Sequence, residues 1–361
     1  VADKAVCDNN AVGAWNDLTW DLNVSHITKR TKCNVYFKTS KITDRIIESV
    51  DKTGKCPSVN SDGTVNVTKV ESTDGYVCSA PDAYGTSYYF RGNVTNNYVK
   101  FGGFYWRILR INGDGTIRLV YDGTSAHSNN EASSDRIIGD SKFNSSANDN
   151  AYVGYMYGST GASSYDATHA NINDSTIKKF VDNWYTSNLS QYSTYLADNI
   201  FCNDRKISTY TDGSHGNSGY GTKGTYYRWA RGPWDESSYG NMTVSFTCPQ
   251  QHDAFTVSDT SKGNGALTYP IGLLSGDDIT LAGGWNSANN GYYLYTGNKY
   301  WTASAGSCTI GITGNRLISD DGSTPNFGIN SNSASVKPVI NIKADSLIAC
   351  LLYTSPSPRD A

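Results

Sequence analysis

The stretch FYWRILRINGDGTIRLVYDG, residues 104–123, says most about the fold of this chain. Its two runs of aromatic and aliphatic residues flank Asn112-Gly113-Asp114-Gly115, whose glycines can adopt the positive φ that a tight turn needs. Such runs on either side of a glycine turn predict a β-hairpin over residues 104–123.

A second pair of strands is predicted near the end of the chain, over residues 299–303 around YWTAS and residues 336–342 in SVKPVINIK. Pro338 has no backbone N–H, so it indicates a strand edge or a first strand position. We expect the early hairpin and the late Val-Ile strand to lie in one β scaffold, which leaves the polar segments between them free to contact a ligand.

The composition narrows the class of protein. The chain has 361 residues, of which only 17% are charged, and its net charge is −3. Binding to phosphates needs a basic surface, so these values exclude a nucleic-acid partner. Tyr (26) outnumbers Phe (10) among many Gly, Asn, Ser and Thr residues, which is typical of an extracellular β-rich protein with polar loops. The alternative is that Tyr replaces Phe on half-exposed strands.

The two ends of the sequence give information on where the protein is located in or outside the cell. No run approaches the roughly 18 apolar residues of a membrane helix, and Val1 is not an initiator Met. We expect a mature or truncated ectodomain, with any signal or membrane anchor upstream. The segment CLLYTSPSPRD, residues 350–360, resembles a translated sequencing adapter, so residues 350–361 are interpreted as a non-native tail of a metagenomic fragment. The alternative is a disordered Ser/Pro tail.

The cysteines predict a disulfide framework rather than a metal site, because they lack the Cys-x-x-Cys and Cys/His spacings of zinc sites. Three neighbouring pairs are expected to bond: Cys7 with Cys33, Cys56 with Cys78, and Cys202 with Cys248. This pairing indicates an oxidising compartment, although a reduced protein with buried thiols remains an alternative. Cys308 has no evident partner.

The domain organisation follows from local patterns. Residues 1–38 contain two short strand patterns and predict a small β module. Residues 39–81 predict a helix capped by Ser40, followed by a polar arm. Residues 82–349 form the main domain, in which loops rich in Gly, Asn and Ser fill residues 203–245 and 306–335. That much loop indicates a role for the loops.

Three helices are predicted in the main domain. The first begins at Ser175, because apolar residues follow it at helical spacing: Ile177, Phe180, Val181, Trp184 and Tyr185. A second helical pattern covers residues 195–201. The third is short, begins at Ser275 and ends before Gly283-Gly284.

Seven motifs spread over residues 82–345 resemble those of a family of uncharacterised bacterial surface domains: YYFRGN, YWRILRINGDG, NAYVGYMYG, YPIGL, YYLYTG, YWTAS and VKPVIN. That family is related to the C-type-lectin-like and formylglycine-generating-enzyme (sulfatase-modifying factor) fold. The resemblance implies an α+β, C-type-lectin-like domain, in which a twisted antiparallel sheet carries two or three helices and long loops. These are packing motifs, so they imply a fold and no chemistry.

The sequence departs from both branches of that fold with known chemistry. The formylglycine-generating branch binds copper through paired cysteines, and only Cys308 lies in the corresponding late region. Calcium-dependent sugar binding in C-type lectins uses Glu-Pro-Asn or Gln-Pro-Asp followed by Trp-Asn-Asp, and neither occurs here. We therefore expect no catalytic residues, no metal and no cofactor.

Other catalytic constellations are also missing from the sequence. There is no His-Glu-x-x-His and no Gly-x-Ser-x-Gly, and five histidines in polar contexts are predicted to lie at the surface: His26, His127, His169, His215 and His252. Asp277 and Asp278 are interpreted as helix N-terminal charge, and Asp320 and Asp321 as a turn. Either pair could alternatively serve as an acid–base couple or bind Ca²⁺.

The late loops combine aromatic rings with amides and carboxylates, a mixture that suits recognition of sugars or proteins. The candidate ligand-binding residues are Trp285, Asn286, Tyr292, Tyr293, Asn315, Arg316, Asp320, Asp321, Asn326 and Asn330. Trp301 is expected in the core. The alternative is that the aromatic residues belong to the core and the Asn residues form turns.

The sequence thus predicts a non-catalytic, extracellular bacterial surface protein whose loops bind a glycan or protein ligand in adhesion or recognition. Two alternatives remain open: an extracellular enzyme of the formylglycine-generating or another type, and a structural surface-layer or pilus-like component. We expect the protein to contact a membrane only through an anchor outside this sequence. The sequence does not predict the oligomeric state.

Overall fold

The computed structural model describes residues 2–16, 21–37, 42–51, 54–67, 70, 75–210, 215–230, 243–309, 312–330 and 334–347. The chain divides into two compact units, Val1–Glu48 and Ser49–Ala361. Strand residues (33%) outnumber helical residues (17%), so the fold is mixed α+β and dominated by sheets. Two predictions, the Ser40 cap and the tail over residues 350–361, lie outside the described residues.

The described residues of the first unit form four strands and one helix. The strands are β1 (Ala2–Cys7), β2 (Val12–Asn16), β3 (Asp21–Ser25) and β4 (Cys33–Phe37), and the helix is α1 (Ile42–Glu48). β1 pairs with β4 and β2 with β3, both antiparallel.

The second unit contains the remaining elements. Its strands β5 to β21 are, in chain order, Gly75–Asp82, Gly85–Gly92, Tyr98–Phe101, Phe104–Ile111, Ile117–Gly123, Asp140–Ser141, Met156–Tyr157, Asn173–Asp174, Phe201–Cys202, Thr225–Tyr226, Ala254–Phe255, Ile271–Gly272, Tyr300–Thr309, Ile312–Ile318, Asn326–Gly328, Ala334–Ser335 and Val339–Ile342. Its α-helices α2 to α4 are Tyr165–Thr168, Thr176–Asn188 and Gly276–Ala282. Short 3₁₀ helices cover Ser134–Arg136, Asn150–Val153, Ser190–Tyr195, Arg228–Ala230, Gln251–Asp253 and Ala344–Leu347.

The largest sheet has the strand order β16-β21-β9-β8-β6-β5, with β7 also paired to β8. The predicted hairpin is β8–β9, which closes with Ile111 opposite Ile117. The turn is held by hydrogen bonds between Asn112 and Thr116, and Gly115 has a φ of 82°. The glycine therefore supplies the left-handed conformation that the sequence predicts.

The last strand joins this hairpin. In β21, Ile340 lies opposite Leu119 of β9, and both side chains are fully buried. Every residue of β9 and of β21 is buried, so the two strands form the centre of the core. The early hairpin and the late Val-Ile strand share one sheet, as predicted.

The main sheet begins earlier in the chain than the predicted boundary at residue 82. Strand β5, Gly75–Asp82, pairs with β6 over its whole length and buries Val77, Cys78 and Ala80. Most of it falls in residues 39–81, which the sequence assigns to a helix and a polar arm.

A second sheet has the order β10-β20-β17-β18-β19, with β14 also paired to β17. Strand β17 runs through Thr309, well beyond the predicted 299–303. Trp301 of this strand is fully buried, and its Nε1 donates a hydrogen bond to the Ser141 carbonyl at 2.8 Å. Trp301 is thus a core residue, as expected.

Two of the three predicted helices form where the sequence places them. Ser175 caps α3 by accepting from the Lys178 backbone N–H, and Trp184 packs edge-on against Trp106 of the hairpin. Ser275 caps α4 in a capping box, and Gly283 ends the helix at a φ of 120°.

The helix predicted over residues 195–201 is wrong. A 3₁₀ helix ends at Tyr195, after which Leu196 bridges to Ile342, and the Ala197 N–H donates to the Asn341 carbonyl at 2.8 Å. Pairing with the last strand therefore provides hydrogen bonds that compete with a helix at this position.

Three disulfides cross-link the described residues: Cys7–Cys33, Cys56–Cys78 and Cys202–Cys248. They are the three pairs expected from the sequence. Cys308 is a buried free thiol, packed with Val153, Tyr227 and Ala305.

Candidate functional site

The structure buries four of the ten residues that the sequence nominates for ligand binding. Tyr292, Tyr293, Asn315 and Arg316 are at most 6% exposed. Burial raises the pKa of both tyrosines. These four side chains belong to the core and do not form a binding surface.

Arg316 shows what the buried polar residues do instead. Its Nε donates to the Trp229 carbonyl at 2.5 Å and its Nη2 to the Ala230 carbonyl at 2.7 Å, while Nη1 donates to the Thr324 carbonyl. One side chain therefore fastens the 3₁₀ helix Arg228–Ala230 to the loop after β18.

The other six candidates stay at least partly accessible. Trp285 and Asn286 lie on one loop and Asp320 and Asp321 on another. The two loops meet through a bridge between Trp285 and Ser323. The remaining two candidates lie on or just after β19, where Asn326 donates to the Ser307 hydroxyl at 2.7 Å and Asn330 is half-buried.

A groove elsewhere on the second unit has the stronger geometry for binding. Its volume is about 360 Å³, within the roughly 300–1,000 Å³ typical of small-ligand sites. We call it the Arg228 groove; it is lined by Asp62, Thr64, Lys206, Ile207, Thr209, Arg228, Thr243, Ser245, Thr247 and Pro249. Five of these side chains carry hydroxyl groups, and Ile207 and Pro249 add apolar surface.

An ion group forms the floor of the groove. The Arg228 guanidinium contacts Asp204 at 2.5 Å and also Asp277, and its Nη1 donates to the Thr243 carbonyl at 3.0 Å. Both carboxylates are buried, whereas the Arg228 side chain keeps 15% of its surface exposed. Burial opposes the charge on Arg228, but the two carboxylates outweigh it and raise the pKa of the guanidinium.

A second ion group lies directly behind the first. The Asp278 carboxylate contacts Arg110 at 2.5 Å and Arg118 at 3.2 Å. A cavity of about 10 Å³, large enough for one water, is lined by Asp277, Asp278 and Ser245 among others. The first group has one Arg and two Asp, and the second has two Arg and one Asp. The excess negative charge of the first group therefore balances the excess positive charge of the second.

The rim of the groove carries the accessible charges. Lys206 and Asp62 are both exposed. The Thr64 hydroxyl and backbone N–H donate to Asp62 at 2.6 and 3.0 Å, and these hydrogen bonds lower the pKa of that carboxyl. The rim thus offers an amine and a carboxylate next to hydroxyl groups that can both donate and accept.

The interpretation of Asp277 and Asp278 as helix N-terminal charge was incomplete. Asp278 does accept from the Ser275 backbone N–H at the start of α4, but both carboxylates are buried and paired with arginines. The arginines come from distant segments, so no local pattern around Asp277 could reveal the pairing. The one signal in the sequence was the long loop over residues 203–245, which supplies Lys206, Arg228 and Thr243.

The predicted surface position of the histidines is wrong for three of the five. His127, His169 and His215 are at most 9% exposed, so their imidazole rings lie inside the fold. His26 is exposed and His252 is half-buried.

His127 lies in an arrangement that resembles a hydrolase triad. The Ser125 hydroxyl is 3.2 Å from Nε2 of His127, and Nδ1 is 2.8 Å from Glu131. However, Asp135 lies only 2.7 Å from the same Nε2 and also accepts the Thr124 and Ser125 backbone N–H groups. Both ring nitrogens of His127 thus have carboxylate partners, and none is left to accept a proton from Ser125, so the geometry differs from that of a catalytic triad.

The part of the chain that the structure describes contains no group of three or more His, Cys, Asp or Glu residues that could hold a metal ion. Among the helices described, none is long and apolar enough to cross a membrane.

Comparisons with known proteins found no matching family model, no similar curated protein and no similar solved structure.

Proposed function

We propose that the protein is a non-catalytic binding protein that acts outside the cell, and that the Arg228 groove binds a hydroxyl-rich ligand such as a glycan. The observation that carries the proposal is the groove itself: a sugar-sized space whose wall displays five hydroxyl side chains over a buried ion group. Sugar hydroxyls both donate and accept, so they match a wall of Ser and Thr hydroxyls.

The rigidity of the floor favours binding. Arg228 is fastened to Asp204, Asp277 and the Thr243 carbonyl, so its guanidinium is already fixed in position before a ligand enters. A preorganised site loses less conformational entropy on binding. Ile207 and Pro249 offer apolar surface for the C–H faces of a sugar ring.

The location of the protein is inferred from its cross-links. Three disulfides are consistent with an extracellular protein. Together with the motif resemblance, they support a C-type-lectin-like bacterial surface domain in adhesion or recognition. A protein ligand, an enzyme and a structural surface component remain the competing proposals.

A glycan array tests the proposal, using mucin, plant and bacterial wall glycans. We expect binding that Lys206→Ala and Thr209→Val each weaken roughly tenfold, as the loss of a hydrogen bond to a charged or hydroxyl group allows. Lys262→Ala is the matched control, because Lys262 is an exposed lysine outside the groove. Absence of any hit favours the structural role, and binding that survives both groove variants moves the site elsewhere.

A further inference from the structure

Asp277 connects the buried ion groups to the wall of the Arg228 groove. Its Oδ1 accepts the Ser245 backbone N–H at 2.9 Å, and its Oδ2 accepts from Arg228 and from the Trp229 indole N–H at 3.3 Å. Ser245 lines the groove directly, and Arg228 in turn holds the Thr243 carbonyl. One carboxylate therefore holds residues 243–245 of the groove wall, directly through Ser245 and indirectly through Arg228.

Asp277 shares Arg228, its one cationic partner among the described residues, with a second carboxylate. Asp204 and Asp277 both contact Arg228, so two negative charges face one positive charge inside the protein. Like charges at one buried site favour protonation of one member. Both carboxylates have a backbone donor, Lys206 N–H for Asp204 and Ser245 N–H for Asp277, so the proton is taken up by the pair that shares Arg228.

The groups around Asp277 include a second set of charges across the small cavity. Arg110, Arg118 and Asp278 line that cavity together with the Cys202–Cys248 disulfide and Ser275. Arg110 and Arg118 contact Asp278 and not Asp277. The second group therefore keeps one positive charge in excess, but both of its arginines are directed at Asp278.

We propose that the groove is acid-responsive: proton uptake by the Asp204–Asp277 pair loosens the groove wall at Ser245 and weakens ligand binding. The inference rests on the proposed function for its ligand, but not for the structural change. A proton on either oxygen of Asp277 removes the negative charge and places an O–H beside groups that also donate, either the Ser245 N–H or the Arg228 and Trp229 N–H groups. The contact at that oxygen is then weakened.

The direction of the pKa agrees with this geometry. Burial raises the pKa of Asp277, Arg228 lowers it and Asp204 raises it further, with a net value of about 6. Asp277 therefore takes up a proton as the pH falls from 7 to 5. A ligand that binds only while the Ser245 N–H is bonded to Asp277 prefers the ionised form of Asp277. By linkage, binding of that ligand lowers the pKa of Asp277.

The experiment needs no ligand and contains its own control. The Ser245 and Ser275 backbone N–H groups donate to Asp277 and Asp278 at 2.9 and 3.0 Å, so the two amides report on neighbouring carboxylates in one sample. Amide chemical shifts and hydrogen exchange are recorded by NMR between pH 7.5 and 4.5. We expect the Ser245 amide to shift with a midpoint near pH 6 and to lose at least tenfold of its exchange protection, while the Ser275 amide changes little.

Two results would overturn the proposal: a Ser245 amide without a transition in this range, or equal transitions at both amides. Asp277→Asn serves as a second sample, in which the Ser245 transition must disappear; if it persists, another group causes it. Because no glycan enters the measurement, its outcome is independent of whether the groove binds sugar.

Discussion

Asp277 and Asp278 are neighbours in the chain, but their carboxylates belong to two different buried ion groups. Asp277 shares Arg228 with Asp204, whereas Asp278 has Arg110 and Arg118 to itself. The neighbours therefore differ in charge balance, and their pKa values move in opposite directions. Between them these two residues connect the main sheet, α4 and the groove.

Replacing Asp278 with Asn should strongly destabilise the second unit. The change leaves Arg110 and Arg118 buried without their carboxylate, and breaking a buried pair in this way costs about 3–5 kcal/mol. Denaturant unfolding measures the difference in the free energy of unfolding. Asp320→Asn, at an exposed site, is the matched control and should change it by less than about 0.5 kcal/mol. Similar values for both variants would contradict the burial of the pair.

Asp277 and Asp278 should contribute with opposite signs to the pH dependence of the free energy of unfolding. Burial opposes ionisation of Asp278, but Arg118 and Arg110 outweigh it and lower the pKa to about 2. A lowered pKa contributes stability above the unfolded value near 4, and that contribution, about 2 kcal/mol, is lost as the pH falls from 4 to 2. Asp277 has a raised pKa, so its protonation stabilises the folded state as the pH falls from 6 to 4.

Urea unfolding at several pH values checks these signs. Between pH 4 and 2, wild-type stability should fall more steeply than that of Asp278→Asn, which lacks the titrating group. Parallel curves for the two proteins in this range would show that Asp278 is not ionised in the folded state.

Removing the Cys202–Cys248 disulfide with two Cys→Ser changes should lower stability more than removing Cys56–Cys78. The sequence separations are 46 and 22 residues, and the chain-entropy account gives about 4 and about 3 kcal/mol for loops of these lengths. Midpoints of denaturant unfolding under non-reducing conditions measure both. A reversed order would show that native contacts, rather than loop length, decide the effect.

Ser125 should not react with a fluorophosphonate probe. Its neighbour His127 faces Asp135 at 2.7 Å, so the imidazole is not free to act as a base. Intact-mass spectrometry after incubation with the probe measures the reaction, with a serine hydrolase as the positive control. An adduct mapped to Ser125 would revive the enzyme alternative.

Cys308 should resist alkylation in the folded protein and react after unfolding. The thiol is buried, and burial raises its pKa despite the hydrogen bond with Thr313, which leaves little reactive thiolate. Mass spectrometry after iodoacetamide treatment with and without denaturant measures the difference. Rapid labelling of the folded protein would place Cys308 at an accessible surface, where a copper ligand becomes conceivable.

Residues with a local signal were predicted well. Gly115 marks the turn of the hairpin, Ser175 and Ser275 cap their helices, and alternating or periodic apolar residues mark the strands and α3. In each case the deciding interactions lie within a few residues of the chain. The sequence pattern over residues 195–201 was misread because hydrogen bonds to the distant Asn341 and Ile342 decide that segment.

The Arg228 groove was not found from the sequence for the same reason. Tyr292 and Asn315 have the chemistry of ligand-binding residues, but side-chain type does not reveal burial. Lys206 and Ser245 line the groove only because remote segments meet there. Only the length of the loop over residues 203–245 pointed towards this region.

By itself, the sequence determined the hairpin, the final strand and two of the helices, because turns, caps and apolar periods act over short distances along the chain. The three cysteine pairs were expected from their neighbouring positions, but only the folded chain decides which cysteines meet. The tertiary structure alone decided which charges are buried and which cation each carboxylate meets. Ion pairing depends on distance in space, and Arg110, Arg228 and Asp278 reach their partners only after the sheets have formed.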